Sequence, residues 1–303
     1  VPVPLVLAFP GQGSLAPEAG SPWADHRAFG TVDAISKAAG VDVRRLLTSA
    51  GNDAELVSTE NAQLATFALS LCVLDATGLE ERASLTLGHS LGEYTALVAA
   101  GVVGRDDGAR LVAARGAAMR GAAEAQPGGL VAMLGGDEAV AEAACTAVPG
   151  LSVANLNGPG QVVLGGPDAA LADVTARAKE LGFRRAIPLK VGGAFHTPLM
   201  APAAARLAPA LAATAFAPGH ARVVANVDGA EHADATAWPD LLLRQLTSPV
   251  RFESCVRALP AGAVLVECGA GRVLSGLVAR IRDDLDVRSV AVPDDLDAVA
   301  DLR

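Results

Sequence analysis

Gly88-His89-Ser90-Leu91-Gly92 decides how this chain is read. The alternation Ala83-Ser84-Leu85-Thr86-Leu87 before it predicts a buried strand. Glu93-Tyr94-Thr95-Ala96-Leu97-Val98-Ala99-Ala100 after it predicts a helix closed by Gly101. A serine at such a junction sits on a sharp turn, its hydroxyl projecting from the end of a sheet, and the flanking glycines let the turn press against its neighbours. In a chain with 32 glycines the bare spacing can arise by chance. The strand and helix on either side are what make Ser90 a candidate nucleophile.

The remaining chemistry has to fit the bulk numbers. A chain of 303 residues can bury a large core, as one big domain or two smaller ones. The 51% hydrophobic content is mostly alanine, valine and leucine, and no apolar run reaches the length that crosses a bilayer, so no membrane partner is expected. The opening Val1-Pro2-Val3-Pro4-Leu5-Val6-Leu7-Ala8-Phe9 lacks a basic region and reads as a first strand rather than a signal peptide. Cys72, Cys145, Cys255 and Cys268 are far apart in apolar segments, which predicts buried thiols in a reducing cytoplasm and no metal site. A net charge of −9 argues against nucleic acid.

Short apolar runs alternate with alanine-rich stretches, the pattern of an α/β protein with a mainly parallel sheet. Strands are predicted at Pro4 to Phe9, Ser84 to Leu87, Val223 to Asn226 and Ala263 to Glu267. Helices are predicted at Asn61 to Asp75, Gly92 to Ala100, Asp106 to Ala125 and Met200 to Ala213. The middle third differs. Strands at Gly129 to Leu134, Gln161 to Gly166 and Phe183 to Leu189, with helices at Asp137 to Ala147 and Asp168 to Leu181, suffice for a small inserted αβ subdomain. Its crossing points fall at the glycines and proline of 126–129 and at Val191-Gly192-Gly193.

A serine nucleophile needs a base, and five histidines are available. His89 adjoins Ser90, but consecutive side chains diverge at a turn, which suits local hydrogen bonding. His26, His220 and His232 lie in polar, loop-like stretches and are expected to be solvated. His196, in Gly193-Ala194-Phe195-His196-Thr197-Pro198, sits at the mouth of a helix, where it can point into a cleft or be held as a structural histidine. Gly11-Gln12-Gly13-Ser14 follows the first strand and, with Ala16, spells the dinucleotide pattern G-x-G-x-x-A. That reading requires an acidic residue closing a second strand; Asp33 has the spacing, but Thr31 to Ala39 looks helical. The other use of such a turn is to bring a donor to a reacting carbonyl. Arg115, among alanines, either snorkels to solvent or grips a substrate carboxylate.

Six co-linear motifs go further: Gly11-Gln12-Gly13-Ser14, Gly88-His89-Ser90-Leu91-Gly92-Glu93, Arg115-Gly116 with Met119, Asn155 and Asn157 with Gly160-Gln161, Gly193-Ala194-Phe195-His196, and Gln245-Leu246-Thr247 with Pro249-Val250. Together they resemble the malonyl-CoA:acyl carrier protein transacylases, stand-alone enzymes related to the acyltransferase domains of polyketide synthases. The resemblance spans essentially the whole chain. It implies a large hydrolase-like α/β core, residues 1–125 and 192–303, with a small ferredoxin-like subdomain, residues 126–191, inserted. It departs from the family at Leu15, where many relatives carry glutamine, and over Ala16 to Trp23.

By that resemblance Ser90 is the acylated nucleophile and His196 its general base. Gln12 and the backbone N–H of Leu91 form the oxyanion hole, Arg115 holds the malonyl carboxylate, and Gln245 orients His196 where a hydrolase has a carboxylate. His89, Asn157 and Phe195 are candidate substrate and specificity positions, with the bulk of Phe195 favouring malonyl over α-methyl extenders. Malonyl-CoA is then the donor and the phosphopantetheine thiol of an acyl carrier protein the acceptor, in a ping-pong reaction of fatty-acid or polyketide biosynthesis with no permanently bound cofactor. A monomer is the default. An acidic carrier would need a local basic patch, for which Arg184, Arg185, Lys190, Arg272, Arg280 and Arg282 are candidates. The same scaffold could serve an editing hydrolase or a transferase of larger carrier-bound acyl groups, and a non-catalytic carrier-binding module is the remaining class.

Overall fold

A computed structural model describes residues 3–51, 53–56 and 58–303. Val1 and Pro2 of the expected first strand lie outside the described residues. The strands are β1 Leu5–Phe9, β2 Leu85–Gly88, β3 Gly129–Leu134, β4 Ser152–Gly158, β5 Gln161–Gly166, β6 Arg185–Pro188, β7 Arg222–Val224, β8 Glu231–His232, β9 Val264–Cys268 and β10 Asp286–Val290. They form a six-stranded sheet in the order β10-β9-β1-β2-β7-β8, parallel except for the β7–β8 pair, and a four-stranded antiparallel sheet in the order β4-β5-β3-β6.

The large sheet is covered on both faces, which is why β1 can be the unbroken apolar run Leu5-Val6-Leu7-Ala8-Phe9, buried throughout. Helix Thr59–Thr77 packs against helix Arg105–Ala125. It is apolar on nearly every side, starts where the Ser58 side chain accepts the Asn61 N–H, and stops at left-handed Gly78. Helix Gly92–Ala99 is buried end to end. The carboxyl ends of β1, β2 and β7 lead into Gly11–Ser14, Ser90 and Asn226, so three adjacent parallel strands deliver backbone and side chains to one crevice, the usual ligand position of such sheets.

The small sheet spends its alternation on two cores. Val131, Met133, Val162 and Leu164 pack under the helices Glu138–Ala147 and Asp168–Ala176. Leu130, Ala132, Ala154 and Val163 face the other way and join the core of the large sheet. A backbone pair completes the union: the Leu156 N–H donates to the Val250 carbonyl, and the Val250 N–H to Ala154, both at 2.9 Å.

The mainly parallel sheet and the inserted αβ unit match the expectation from sequence, with corrections. Strand β4 was not expected, because Asn155 and Asn157 interrupt its apolar pattern and its pairing with β5 is bulged. Strand β10 is a polar edge strand, again without an apolar run. The helix expected to run to Leu181 stops at Ala176, and Asn226 lies beyond the end of β7 rather than in it.

Two glycines of the opening pentapeptide show why the connection between β2 and its helix is so tight. A Cβ on Gly88 would stand 1.9 Å from the Gly92 carbonyl carbon, and one on Gly92 would stand 2.0 Å from the Phe9 oxygen. Both neighbours are backbone and cannot turn aside. Gly88→Ala and Gly92→Ala should therefore each destabilise the chain by more than about 3 kcal/mol in chemical denaturation. Gly276, inside helix Val273–Ile281 with open space around it, should gain about 0.5–1 kcal/mol as alanine. The opposite ordering would refute the packing argument.

Candidate active site

Ser90 has φ of 55° and His196 φ of 61°, so both hold the left-handed conformation that costs a non-glycine residue energy. That shared strain brings them together: Ser90 Oγ lies 2.7 Å from His196 Nε2. His196 Nδ1 is held at 2.7 Å by a carbonyl oxygen, so the ring carries its proton on Nδ1 and presents Nε2 as the acceptor. The carbonyl belongs to the backbone of Gln245. The resemblance assigns the orienting of His196 to Gln245, and the atom that meets the ring is its peptide oxygen rather than its side chain.

The Gln245 side chain does something else. Its Nε2 donates to the Ser90 carbonyl at 2.8 Å and to Glu93 Oε2, while its Oε1 accepts from Arg115 Nη2 at 3.0 Å. Arg115 Nη2 also donates to Ser90 Oγ at 3.1 Å, and Nη1 donates to Gln63 Oε1 at 2.6 Å. The guanidinium lies 5.2 Å from the centre of the Tyr94 ring, a cation–π contact. Its Nε has no hydrogen-bond partner among the described residues. The solvated alternative for Arg115 is thus excluded: it is 1% exposed.

Asn226 holds the serine turn from below. Its Oδ1 accepts the Ser90 N–H and its Nδ2 donates to the Gly88 carbonyl, each at 2.7 Å. Leu91 caps the helix Gly92–Ala99, so its N–H points out of the positive end of the helix. Gln12 lies in the short turn Gln12–Ser14, where a Cβ on neighbouring Gly11 would come within 3.0 Å of the His89 carbonyl. Among the described residues neither the Leu91 nor the Gln12 N–H has an acceptor in the chain.

A cavity of about 750 Å³ opens over Ser90, lined by Gln12, His89, Asn157, Phe195, His196 and Met119 among others. Arg115 and Gln245 lie beneath it rather than in its wall. His89 is not engaged locally: its Nε2 pairs at 2.8 Å with Asn157 Oδ1 on β4, tying the serine turn to the small sheet. Of the other histidines, only His220 is exposed as expected. His26 packs edge-on against Trp23, and His232 packs against Trp238 while pairing with Asp228. The dinucleotide alternative falls, since Asp33 is in helix Gly30–Ala39 and paired with Arg44.

Burial sets the electrostatics. It pushes the His196 imidazole down to about 3, with the Arg115 charge acting the same way. Burial of Glu93, 1% exposed, works against its ionisation, opposed by the Asn226 N–H, Gln245 and Arg115. Both its oxygens face N–H donors, an arrangement that only the ionised carboxylate fully satisfies. Burial also raises the Cys72 thiol to about 12 and Cys145 to about 11, so these are inert thiols. Among the described residues no cluster of His, Cys, Asp and Glu could hold a metal ion, and no helix is long and apolar enough to cross a membrane.

Asn226, Glu93 and Gln63 had no role assigned from sequence. Glu93 offered one signal, an acidic residue in a helix otherwise destined for burial. Asn226 and Gln63 offered none, because their partners are distant in the chain.

A parallel α/β sheet that brings a strained serine against a histidine at the carboxyl ends of its strands places the chain in the hydrolase-like α/β class. A family described as the acyl transferase domain matches residues 24–291. The malonyl CoA-acyl carrier protein transacylase of Bacillus subtilis is 38% identical over 256 residues, covering 82% of this chain and 80% of that protein. The crystal structure of the malonyl-CoA:acyl carrier protein transacylase from Xanthomonas oryzae superposes with a TM-score of 0.92 at 39% identity, over 100% of this chain and 99% of that one. A malonyl-transacylase solved in complex with its type II PKS acyl-carrier protein superposes with a TM-score of 0.91 at 34% identity, over 99% and 100% of the two chains. The chain belongs to the malonyl-CoA:acyl carrier protein transacylase family.

The neutral imidazole is the form that can accept a proton, so lowering its pKa keeps His196 Nε2 an acceptor as pH falls, until the medium approaches about 3. Inactivation of Ser90 by a sulfonyl fluoride, corrected for reagent hydrolysis, should accordingly show no acid-side loss between pH 8 and pH 5. A titration near 6.5 in that rate would contradict the burial argument.

Proposed function

We propose that this chain moves a malonyl group from malonyl-CoA to the phosphopantetheine thiol of an acyl carrier protein, through an acyl-enzyme on Ser90, in fatty-acid or polyketide biosynthesis. The observation that carries the reading is a single oxygen with two partners: Ser90 Oγ lies 2.7 Å from the base His196 and 3.1 Å from the buried cation Arg115. A hydrolase of neutral esters has no use for that cation.

His196 Nε2 takes the hydroxyl proton as Ser90 Oγ attacks the thioester carbon. The resulting oxyanion lies against the N–H groups of Leu91 and Gln12. As the tetrahedral intermediate collapses, the C–S bond breaks and the CoA sulfur leaves with the proton from His196. The carrier thiol then gives its proton to His196 and attacks the acyl carbon; the ester C–O bond breaks, and Ser90 Oγ leaves with the proton returned by His196. The Nδ1–H bond to the Gln245 carbonyl keeps the ring in register throughout. Arg115 Nη2 exchanges Ser90 Oγ for the malonyl carboxylate, with the unpartnered Nε holding further donor capacity. Fixing the acyl group in one pose favours the entering thiol over water. Phe195 lines the cavity, and its bulk is the feature that favours malonyl over α-methyl extenders.

The small sheet, within residues 126–191, serves as the subdomain that walls the cavity opposite Ser90. Carrier docking falls to part of the candidate basic patch. Lys190 lines the cavity, and Arg280 bonds Gln161 in the same wall with no acidic partner among the described residues. Arg272 and Arg282 are instead neutralised by Asp295 and Asp284. Four free thiols suit a reducing cytoplasm, and the enzyme works as a monomer with no permanent cofactor.

Intact mass after incubation with malonyl-CoA should show one added malonyl group, absent in Ser90→Ala. Arg115→Ala should lower kcat/KM for malonyl-CoA by about 10²-fold or more, as loss of a charged hydrogen-bonded pair implies. Failure to form an acyl-enzyme with malonyl-CoA would overturn the proposal, and faster release of neutral acyl groups to water would favour an editing hydrolase.

A further inference from the structure

We infer that Glu93 is a positioning residue that sets which end of the Gln245 amide faces Arg115, and thereby the preference for acyl groups carrying a carboxylate. The inference rests on the reading of Arg115 given above. Glu93 bonds neither Ser90 Oγ nor His196, and it is not in the wall of the cavity. Its reach is through Gln245.

An amide has one end that donates and one that accepts. Glu93 Oε1 accepts the Asn226 N–H at 3.0 Å, and Oε2 accepts from Gln245 Nε2. With its nitrogen drawn to Glu93 and to the Ser90 carbonyl, Gln245 must turn Oε1 the other way, where Arg115 Nη2 donates to it. Reversing the amide would set an NH2 group against the guanidinium and an oxygen against the carboxylate. Both contacts repel, and both are buried, where an unmade hydrogen bond is costly. An acceptor-only side chain at position 93 therefore makes position 245 an acceptor for Arg115. The residue that orients His196 through its backbone also seats the cation through its side chain, and Glu93 decides only the second of these.

Glu93→Gln keeps the shape and breaks the logic. Glutamine offers one accepting end to two donors, the Asn226 N–H and Gln245 Nε2. The conflict is relieved by turning Gln245, and Arg115 Nη2 loses Gln245 Oε1 as an acceptor.

The test uses the full chain and reads kcat/KM for CoA release from malonyl-CoA and from acetyl-CoA, with Arg115→Ala alongside. Glu93→Gln should lower the malonyl value by about tenfold, the size of one buried hydrogen bond. It should lower the acetyl value much less, so that the ratio falls in the same direction as in Arg115→Ala. A simple loosening of the fold would depress both substrates alike, and that outcome overturns the inference. A ratio that falls in Arg115→Ala but not in Glu93→Gln overturns it while leaving the carboxylate clamp standing. A ratio unchanged in both removes the clamp and the inference together. Glu93→Met, of similar volume and with no donor to clash, covers a failure of the glutamine variant to fold. The ratio must fall there too, and an unchanged ratio again counts against Glu93.

Discussion

The site depends on two backbones approaching closer than any side chain allows. At Gly88 and Gly92 the space for a Cβ is already filled by peptide atoms of Gly92 and Phe9. The chain leaving β2 must reverse into its helix within that gap, and Ser90 takes a positive φ because the turn has no room for another geometry. The position of Ser90 is thus a packing result before it is a chemical one. Asn226, reaching across from the end of β7, secures the turn by holding one donor and one acceptor of its backbone.

Above that turn the charges are arranged around one residue. Gln245 gives its carbonyl to His196, its amide nitrogen to the Ser90 backbone and Glu93, and its amide oxygen to Arg115. A base, a cation and a buried acid are thereby spaced by a neutral group. Burial, with the cation beside it, holds the imidazole neutral while the Glu93 carboxylate offsets the cation, so neither charge stands alone in the dry interior.

The parts legible in the sequence were those with local signatures. The β2–serine–helix junction, the strand β1, the small sheet's β3 and β5, and the candidate Ser90 announce themselves within a few residues, whereas His196 and Arg115 stay open until the six motifs are taken together. Strand β4 did not, because Asn155 and Asn157 serve the site and the bulged ladder rather than a core. Asn226 and Glu93 stayed without a role for another reason. Their bonds to Ser90 and Gln245 span 136 and 152 residues, and no spacing rule reaches that far. The Gln245 position was legible but its atom was not, since a sequence names side chains and the histidine is held by a peptide oxygen.

That peptide oxygen bears on heredity. A carboxylate that steadies a histidine can be erased by one nucleotide change in its codon, whereas a main-chain carbonyl is present whatever amino acid the codon specifies. Only a displacement of the backbone removes it. A substitution at position 245 can therefore change what meets Arg115 and the Ser90 carbonyl while the oxygen that holds the His196 ring stays in place.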